Sequence, residues 1–291
     1  MQPLIWDHRP DGLRAPALVC AFTGWNDAGD AASSALSFVG ASLGAERFAH
    51  IDPEEFYDFQ TVRPKVRIVD GGVREIVWPA VELYVARVPR APRDLVLLGG
   101  PEPSMRWRTF AAVIIELAEA LGVQVVCSLG ALLADVPHSL PVPVSGGASD
   151  PDTAERLGLH GTGYEGPTGI VGVLASACLE RGIPSASLWA SVPHYVAAAP
   201  NPKAALALVR KLESLVGVSV DASELESAAA DYERQVGLAV QSDPDVQAFV
   251  ERLEQLAADE AGEETQPEIS GDRIAREFQR FLRQRGSGDE G

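Results

Sequence analysis

Four ionisable side chains stand in loops that follow apolar runs: Asp27, Glu102, Asp135 and His194. The carboxyl ends of parallel strands are where α/β sheets place their sites. Brought together there, carboxylates and an imidazole supply a general acid and a general base. Asn26 would add an amide to the same pocket. We take Asn26, Asp27, Glu102 and His194 as candidate ligand-binding residues, with no residue assigned as catalytic. A plainer role competes at each position. Asp27 suits the N-cap of a helix beginning at residue 28. Glu102 lies in a proline-rich turn, and His138 and His194 each follow a proline.

Other chemistry is poorly represented. Gly161-Thr162-Gly163-Tyr164-Glu165-Gly166 has the letters of a dinucleotide fingerprint. That motif must leave a strand and open the first helix of a βαβ unit. Here Arg156–His160 precedes it and Pro167 interrupts, so it reads as a loop before a helix capped by Thr168. A helix N-terminus there would still accept an anion. No Gly-x-Ser-x-Gly elbow, phosphate-binding loop or His-Glu-x-x-His is found. The three lysines (Lys65, Lys203, Lys211) do not follow glycine-rich turns. The five histidines and three cysteines are scattered without zinc spacing. Neither a metal nor a cofactor is expected.

The elements that would position the candidates alternate through residue 218. Strands are expected at Ala17–Phe22, Ala45–Ile51, Val66–Val69, Arg74–Trp78, Glu82–Val88, Asp94–Leu98, Val123–Ser128 and Ser187–Val192. Helices are expected at Asp27–Leu43, Met105–Leu121, Thr168–Glu180 and Pro202–Val216. Gly71-Gly72 reads as a two-residue hairpin turn, and Gly99-Gly100-Pro101 as the close of a strand. Continuous apolar strands separated by helices predict a three-layer α/β domain with a mixed sheet. The 66–88 stretch should add antiparallel strands to it.

Beyond 218 the period turns helical. Ser223-Glu224-Leu225-Glu226 fits a capping box, followed by a stripe of Leu225, Ala229, Tyr232, Val236 and Ala239. A second helix begins near Pro244 with Val246, Phe249, Val250, Leu253 and Leu256 on one face. Two exposed stripes would be an aggregation hazard. Phe249 and Leu253 are therefore candidate partner contacts, and a homo-oligomer built partly from this hairpin is expected. Residues 259–268 read as an acidic linker. Asp272–Arg285 reads as a docking helix whose stripe includes Phe278 and Phe281, and 286–291 as disordered. The domains are thus 1–218, 219–258 and 259–291.

Composition sets the outer bounds. The chain has 291 residues, 46% hydrophobic, with 41 acidic and 24 basic side chains and a net charge of −17. That charge opposes nucleic acid and anionic membrane as partners. No run of about 18 apolar residues exists to span a membrane. The start shows neither a basic n-region nor an apolar h-region, so no signal peptide is expected. An odd number of cysteines (Cys20, Cys127, Cys178), each in an apolar run, reads as reduced core thiols of a cytoplasmic protein.

Three motifs occur in order: Phe22-Thr-Gly-Trp-Asn-Asp-Ala-Gly-Asp30, Leu97-Leu-Gly-Gly-Pro-Glu-Pro103, and Gly146-Gly-Ala-Ser-Asp-Pro151 followed by Tyr164-Glu-Gly-Pro-Thr-Gly-Ile-Val-Gly172. Together they resemble the proteasome assembly chaperone family, in the branch named after the second chaperone subunit and in its actinobacterial type. The resemblance covers roughly residues 1–255. It implies a fold similar to nucleoside phosphorylases. It also implies a non-enzymatic protein that binds proteasome α-type subunits. Some relatives dock through a C-terminal hydrophobic-Tyr-any tripeptide, whereas this chain ends Asp289-Glu290-Gly291. The other reading is a phosphorylase- or hydrolase-like enzyme acting on a small ligand at the carboxyl edge of the sheet. A deep polar pocket holding Asn26, Asp27 and His194 would favour it.

Overall fold

Ala17–Thr23 buries every residue but its last, so both faces of this strand meet packed layers. The computed structural model describes residues 3–69, 72–148, 151–157, 159–161, 165–196 and 199–262. In chain order these form β1 (Leu4–Trp6), β2 (Ala17–Thr23), α1 (Ala31–Ser42), β3 (Glu46–Ile51), β4 (Lys65–Val69), β5 (Val73–Val77) and β6 (Val81–Ala86). Then come β7 (Leu95–Pro101), α2 (Trp107–Leu121), β8 (Val125–Ala134), β9 (Val144–Ala148), α3 (Pro151–Leu157) and β10 (His160–Gly161). The last are α4 (Ile170–Glu180), β11 (Ser185–Pro193), α5 (Pro202–Val216), α6 (Ser223–Gln241) and α7 (Pro244–Gly262).

Nine strands make one mixed sheet in the order β1-β3-β6-β7-β2-β8-β11-β9-β10. Its centre, β7-β2-β8-β11, is parallel. β6, β3 and β1 continue it antiparallel on one side, and β9 pairs antiparallel with β11 on the other. Side chains alternate between the faces of a strand. Ala17, Val19 and Ala21 of β2 therefore meet α1 and α5, including Ala35, Val39, Leu208 and Leu212. Leu18, Cys20 and Phe22 meet α2 and α4, including Phe110, Ile114, Leu174 and Cys178. This is the expected three-layer α/β arrangement. Cys20, Cys127 and Cys178 are free and buried.

Several expected boundaries move, each for a local reason. The 27–43 helix is split: Ala28–Asp30 is a 3-10 turn, and Gly29 (φ 59°) and Asp30 (φ 50°) are left-handed before α1 begins. Arg106, also left-handed at φ 57°, delays α2 to Trp107. Gly99 and Gly100 do not close a strand but lie inside β7. A Cβ on Gly100 would stand 2.5 Å from the Ala80 carbonyl oxygen, so only glycine lets the strand continue there. β8 likewise runs on to Ala134, past Gly130, where a Cβ would strike the Trp189 ring at 2.5 Å. Of the 66–88 stretch only β6 joins the main sheet; β4 and β5 form a separate ribbon. The Gly71 half of its turn lies outside the described residues.

The stripes of the hairpin α6–α7 are covered in part by each other and by Tyr195 and Val196, while Ala239 and Leu256 stay exposed. Val236, Val240 and Val250 are buried together with Tyr195, Val196, Tyr232 and Val246 around them. Leu225 joins the α1–α5 side of the core. The capping box is not formed: Ser223 is the first helical residue, and its N–H and hydroxyl both donate to Asp221 Oδ1. The linker beyond 262 and the helix carrying Phe278 and Phe281 lie outside the described residues.

Asp94 fastens the amino ends of β2 and β7. Oδ2 accepts from the Arg14 N–H at 2.9 Å. Oδ1 accepts from the Val88 N–H at 2.9 Å and the Arg14 guanidinium at 3.0 Å. Burial by itself raises this carboxyl, but the two backbone donors and the guanidinium outweigh it and hold it below its ordinary value. A lowered folded value stabilises above the unfolded pKa of about 3.9, and that stability is lost as pH falls through the folded value. Asp94→Asn should cost about 1–3 kcal/mol at pH 7, with the gap to wild type narrowing toward pH 3. Urea titrations at both pH values check this; an equal gap at both would show that the charge is not what counts.

Candidate ligand site at the carboxyl edge

The carboxyl ends of β7, β2, β8 and β11 lead in turn to Glu102, Asn26-Asp27, Asp135 and His194, all on one edge. The topology thus brings the candidates to the expected place. Their side chains divide into two groups.

The first lies over β7 and β2. Asn26 is held by its backbone, whose carbonyl accepts from the Ala131 N–H at 2.8 Å. Its amide donates to Glu102 Oε1 at 3.0 Å. The same oxygen accepts from the Ile170 N–H, the first of α4, at 2.8 Å. Glu102, rather than Thr168, therefore caps α4, from 68 residues away. The Thr168 hydroxyl makes no cap and instead lies near the Gly169 carbonyl. Gly169 is required by the fit, since a Cβ there would stand 2.6 Å from the Asn26 amide nitrogen and 2.7 Å from Glu102 Oε1. Burial pushes the Glu102 carboxyl above its ordinary value, against the opposing pull of the two donors. Tyr57 donates to the Pro101 carbonyl at 2.6 Å, and burial and the nearby Glu102 charge push its hydroxyl up.

Asp27 turns the other way, into α1. Oδ1 accepts from the Ala32 N–H at 2.7 Å and the Ser33 N–H at 3.1 Å, while Oδ2 takes the Ser33 hydroxyl. The expected cap is therefore made, but across the intervening 3-10 turn rather than from the residue before the helix. Burial raises the Asp27 carboxyl, opposed by these bonds. Beside it, Asn201 donates its N–H to the Gly29 carbonyl at 2.7 Å and caps α5 by accepting from the Ala204 N–H at 3.0 Å. Asn201 was not among the expected site residues, although Asn before Pro at the first helical position is a cap signal that the sequence carries.

The second group lies over β8 and β11. His194 Nδ1 meets Asp135 Oδ1 at 2.8 Å. The imidazole stacks edge-on against Phe249 (5.4 Å) and Tyr195 (5.9 Å). Phe249 is half-buried in this stack and Leu253 is buried. Nearby, the His138 N–H donates to the Tyr195 hydroxyl at 2.7 Å, and Lys203 bridges the His138 carbonyl and Glu233 of α6. Burial, then the Lys203 charge, lowers the His138 pKa against the opposing pull of Glu233 and Glu254. The hairpin is thus bolted over this half of the edge.

Asp27, engaged by α1, and Glu102, whose oxygen already serves two donors, make a poor catalytic set. Among the described residues no group of three or more His, Cys, Asp or Glu is arranged to hold a metal ion. No described helix is long and apolar enough to cross a membrane.

The PAC2 family profile matches residues 21–240. A crystal structure of a PAC2 family protein from Streptomyces avermitilis is 52% identical, with a TM-score of 0.76 over 81% of this chain and 99% of that one. A proteasome-assembly chaperone homologue from Mycobacterium tuberculosis is 47% identical, with a TM-score of 0.74 over 80% and 99%. An archaeal proteasome activator from Pyrococcus furiosus shares the fold at 18% identity, with a TM-score of 0.64 over 82% and 99%. No curated protein matches the sequence.

Three substitutions separate capping from ligand chemistry. Asp27→Ala should cost about 1–2 kcal/mol by unmaking the α1 cap. Glu102→Ala should cost about 1–3 kcal/mol by leaving buried donors unpaired. Glu102→Gln keeps an acceptor and should cost less. A raised folded pKa stabilises below the unfolded value of about 4.3, and that stability is lost as pH rises through the folded value. Wild type should therefore lose stability between pH 4 and 7 relative to Glu102→Gln. Melting curves across that range check the sign.

Proposed function

This chain belongs to the PAC2 family, and on that premise we propose that it is a non-enzymatic, cytoplasmic binding protein in the manner of a proteasome assembly chaperone. Its clients in this reading are proteasome α-type subunits, and it works as a homo-oligomer. One observation carries the reading: the polar side chains at the edge where an α/β sheet takes its ligand are engaged by the chain itself. Glu102 occupies the start of α4, where a bound anion would otherwise sit. Asp27 and Asn201 hold the starts of α1 and α5, and His194 packs beneath Phe249. The 47% identical Mycobacterium tuberculosis relative described as a proteasome-assembly chaperone homologue supports the client class.

The test is direct. The purified chain mixed with recombinant α-type proteasome subunits should co-elute in size-exclusion chromatography, with a Kd in the micromolar range or tighter, about −8 kcal/mol or better. Glu102→Gln should bind equally, because its role is to cap a helix. Failure to capture α-type subunits in any assembly state would reject the proposal. A loss of capture in Glu102→Gln with unchanged stability would return that site to function.

A further inference from the structure

A groove of about 520 Å³ opens between α6, α7 and the turn that carries His138 and Ser139. Ala230, Gly237, Val240 and Val250 give it apolar walls. Its rim is acidic. Glu233 is already bridged by Lys203, and Arg234 is paired with Asp231. Glu251 and Glu254 meet only neutral partners among the described residues. Glu251 Oε1 accepts from the Gln247 amide at 3.0 Å, and Glu254 Oε1 takes the Ser139 hydroxyl. Like charges three residues apart on one helix face repel, and a cation between them relieves the repulsion.

Charge, shape and reach select the occupant. From Ser223 to Gly262 ten acidic side chains stand against Arg234 and Arg252. Residues 272–285 reverse that balance, with Arg273, Arg276, Arg280, Arg283 and Arg285 against Asp272 and Glu277. As a helix, their apolar stripe from Ile274 to Leu282 would be about 12 Å long. Ala230 and Gln241, the ends of the groove along α6, lie about 16 Å apart at the same rise. Arg273 and Arg280 stand two turns apart beside the stripe, so their stems reach the rim when Phe278 and Phe281 enter the groove. Glu254 to Gly262 is about 12 Å along α7, and the nine residues 263–271 span up to about 30 Å when extended. The segment can therefore fold back over the groove. So short a tether holds it at roughly millimolar effective concentration, which offsets the weakness of a short helix alone in water.

We propose that residues 272–285 dock as an amphipathic helix in the groove between α6 and α7 of their own chain, with Phe278 and Phe281 on its apolar walls and arginines on Glu251 and Glu254. A partner that takes this segment must first displace it from the groove, so docking lowers the segment's affinity for others by the fraction of time it is free. The proposal is independent of the client in the proposed function.

Hydrogen exchange of the full chain at low micromolar concentration tests it. Amides 274–282 should exchange at least tenfold more slowly than in a synthetic peptide of residues 270–287. Phe278→Asp with Phe281→Asp should abolish that protection, and so should Glu251→Lys with Glu254→Lys, with exchange in β2 and β8 unchanged in both. The peptide should bind the Phe278→Asp, Phe281→Asp chain, whose groove is open, and bind wild type at least tenfold more weakly. A short bismaleimide should bridge Gln247→Cys to Gln279→Cys within one chain, while Lys65→Cys with Gln279→Cys stays unbridged. The native thiols are buried and should not interfere. Unprotected amides in wild type, protection that survives the Glu251 and Glu254 reversal, equal peptide binding to both chains, or a bridge that joins two chains overturns the proposal.

Discussion

Helices that start at a buried sheet edge must find partners for N–H groups that the helix cannot supply. α1, α4 and α5, three of the helices that begin at the carboxyl edge, face that problem. The chain meets it with side chains from outside each helix: Asp27 across a 3-10 turn, Glu102 from the loop after β7, and Asn201 from the residue before Pro202. The rest of the edge follows from these bonds. Asn26 is fixed by sharing Glu102, and Gly169 must lack a side chain to let them approach. The loop at Gly29 is tied to Asn201. Polar groups that would suit a catalyst by type are consumed in holding the helices to the sheet. Two of these carboxyls are raised by burial, so the fastening works against a desolvation cost rather than free of it.

Much of this was legible in the sequence, and what was not has a common cause. The apolar run of β2 announced a strand covered on both faces, and the stripe of α2 announced a helix with one buried face. The loops after those strands were correctly placed on one edge. The partner of a side chain across the fold was not legible. Glu102 reads as a turn residue until α4 is set beside it. Gly99 and Gly100 read as punctuation until the Ala80 carbonyl is seen against them. The ribbon was misassigned for the same reason: the alternation of Lys65–Val69 is what a half-buried strand shows, and only the folded chain reveals that neither face is covered. Capping geometry within a few residues was also unreliable where left-handed residues intervene, as Asp30 and Arg106 show.

The profile match spans residues 21–240, which takes in most of the sheet, its carboxyl edge and most of α6. The hairpin α6–α7 is held to the sheet through Lys203, Tyr195 and Phe249. Within the same span the β4–β5 ribbon holds five of the exposed aliphatic residues, Val66, Ile68, Val73, Ile76 and Val77. A binding protein arranged in this way separates the part that must keep its shape from the part that is free to meet others.

Gly130 and Trp189 pair directly across β8 and β11, and the indole lies flat over the place where a side chain at 130 would stand. The two positions therefore do not drift independently. Even a methyl group at 130 would demand a smaller or displaced ring at 189 first, whereas shrinking the ring alone leaves a void that a side chain at 130 could later fill. Substitutions here have a permitted order. The pair acts as a one-way valve on how sequences of this fold can diverge.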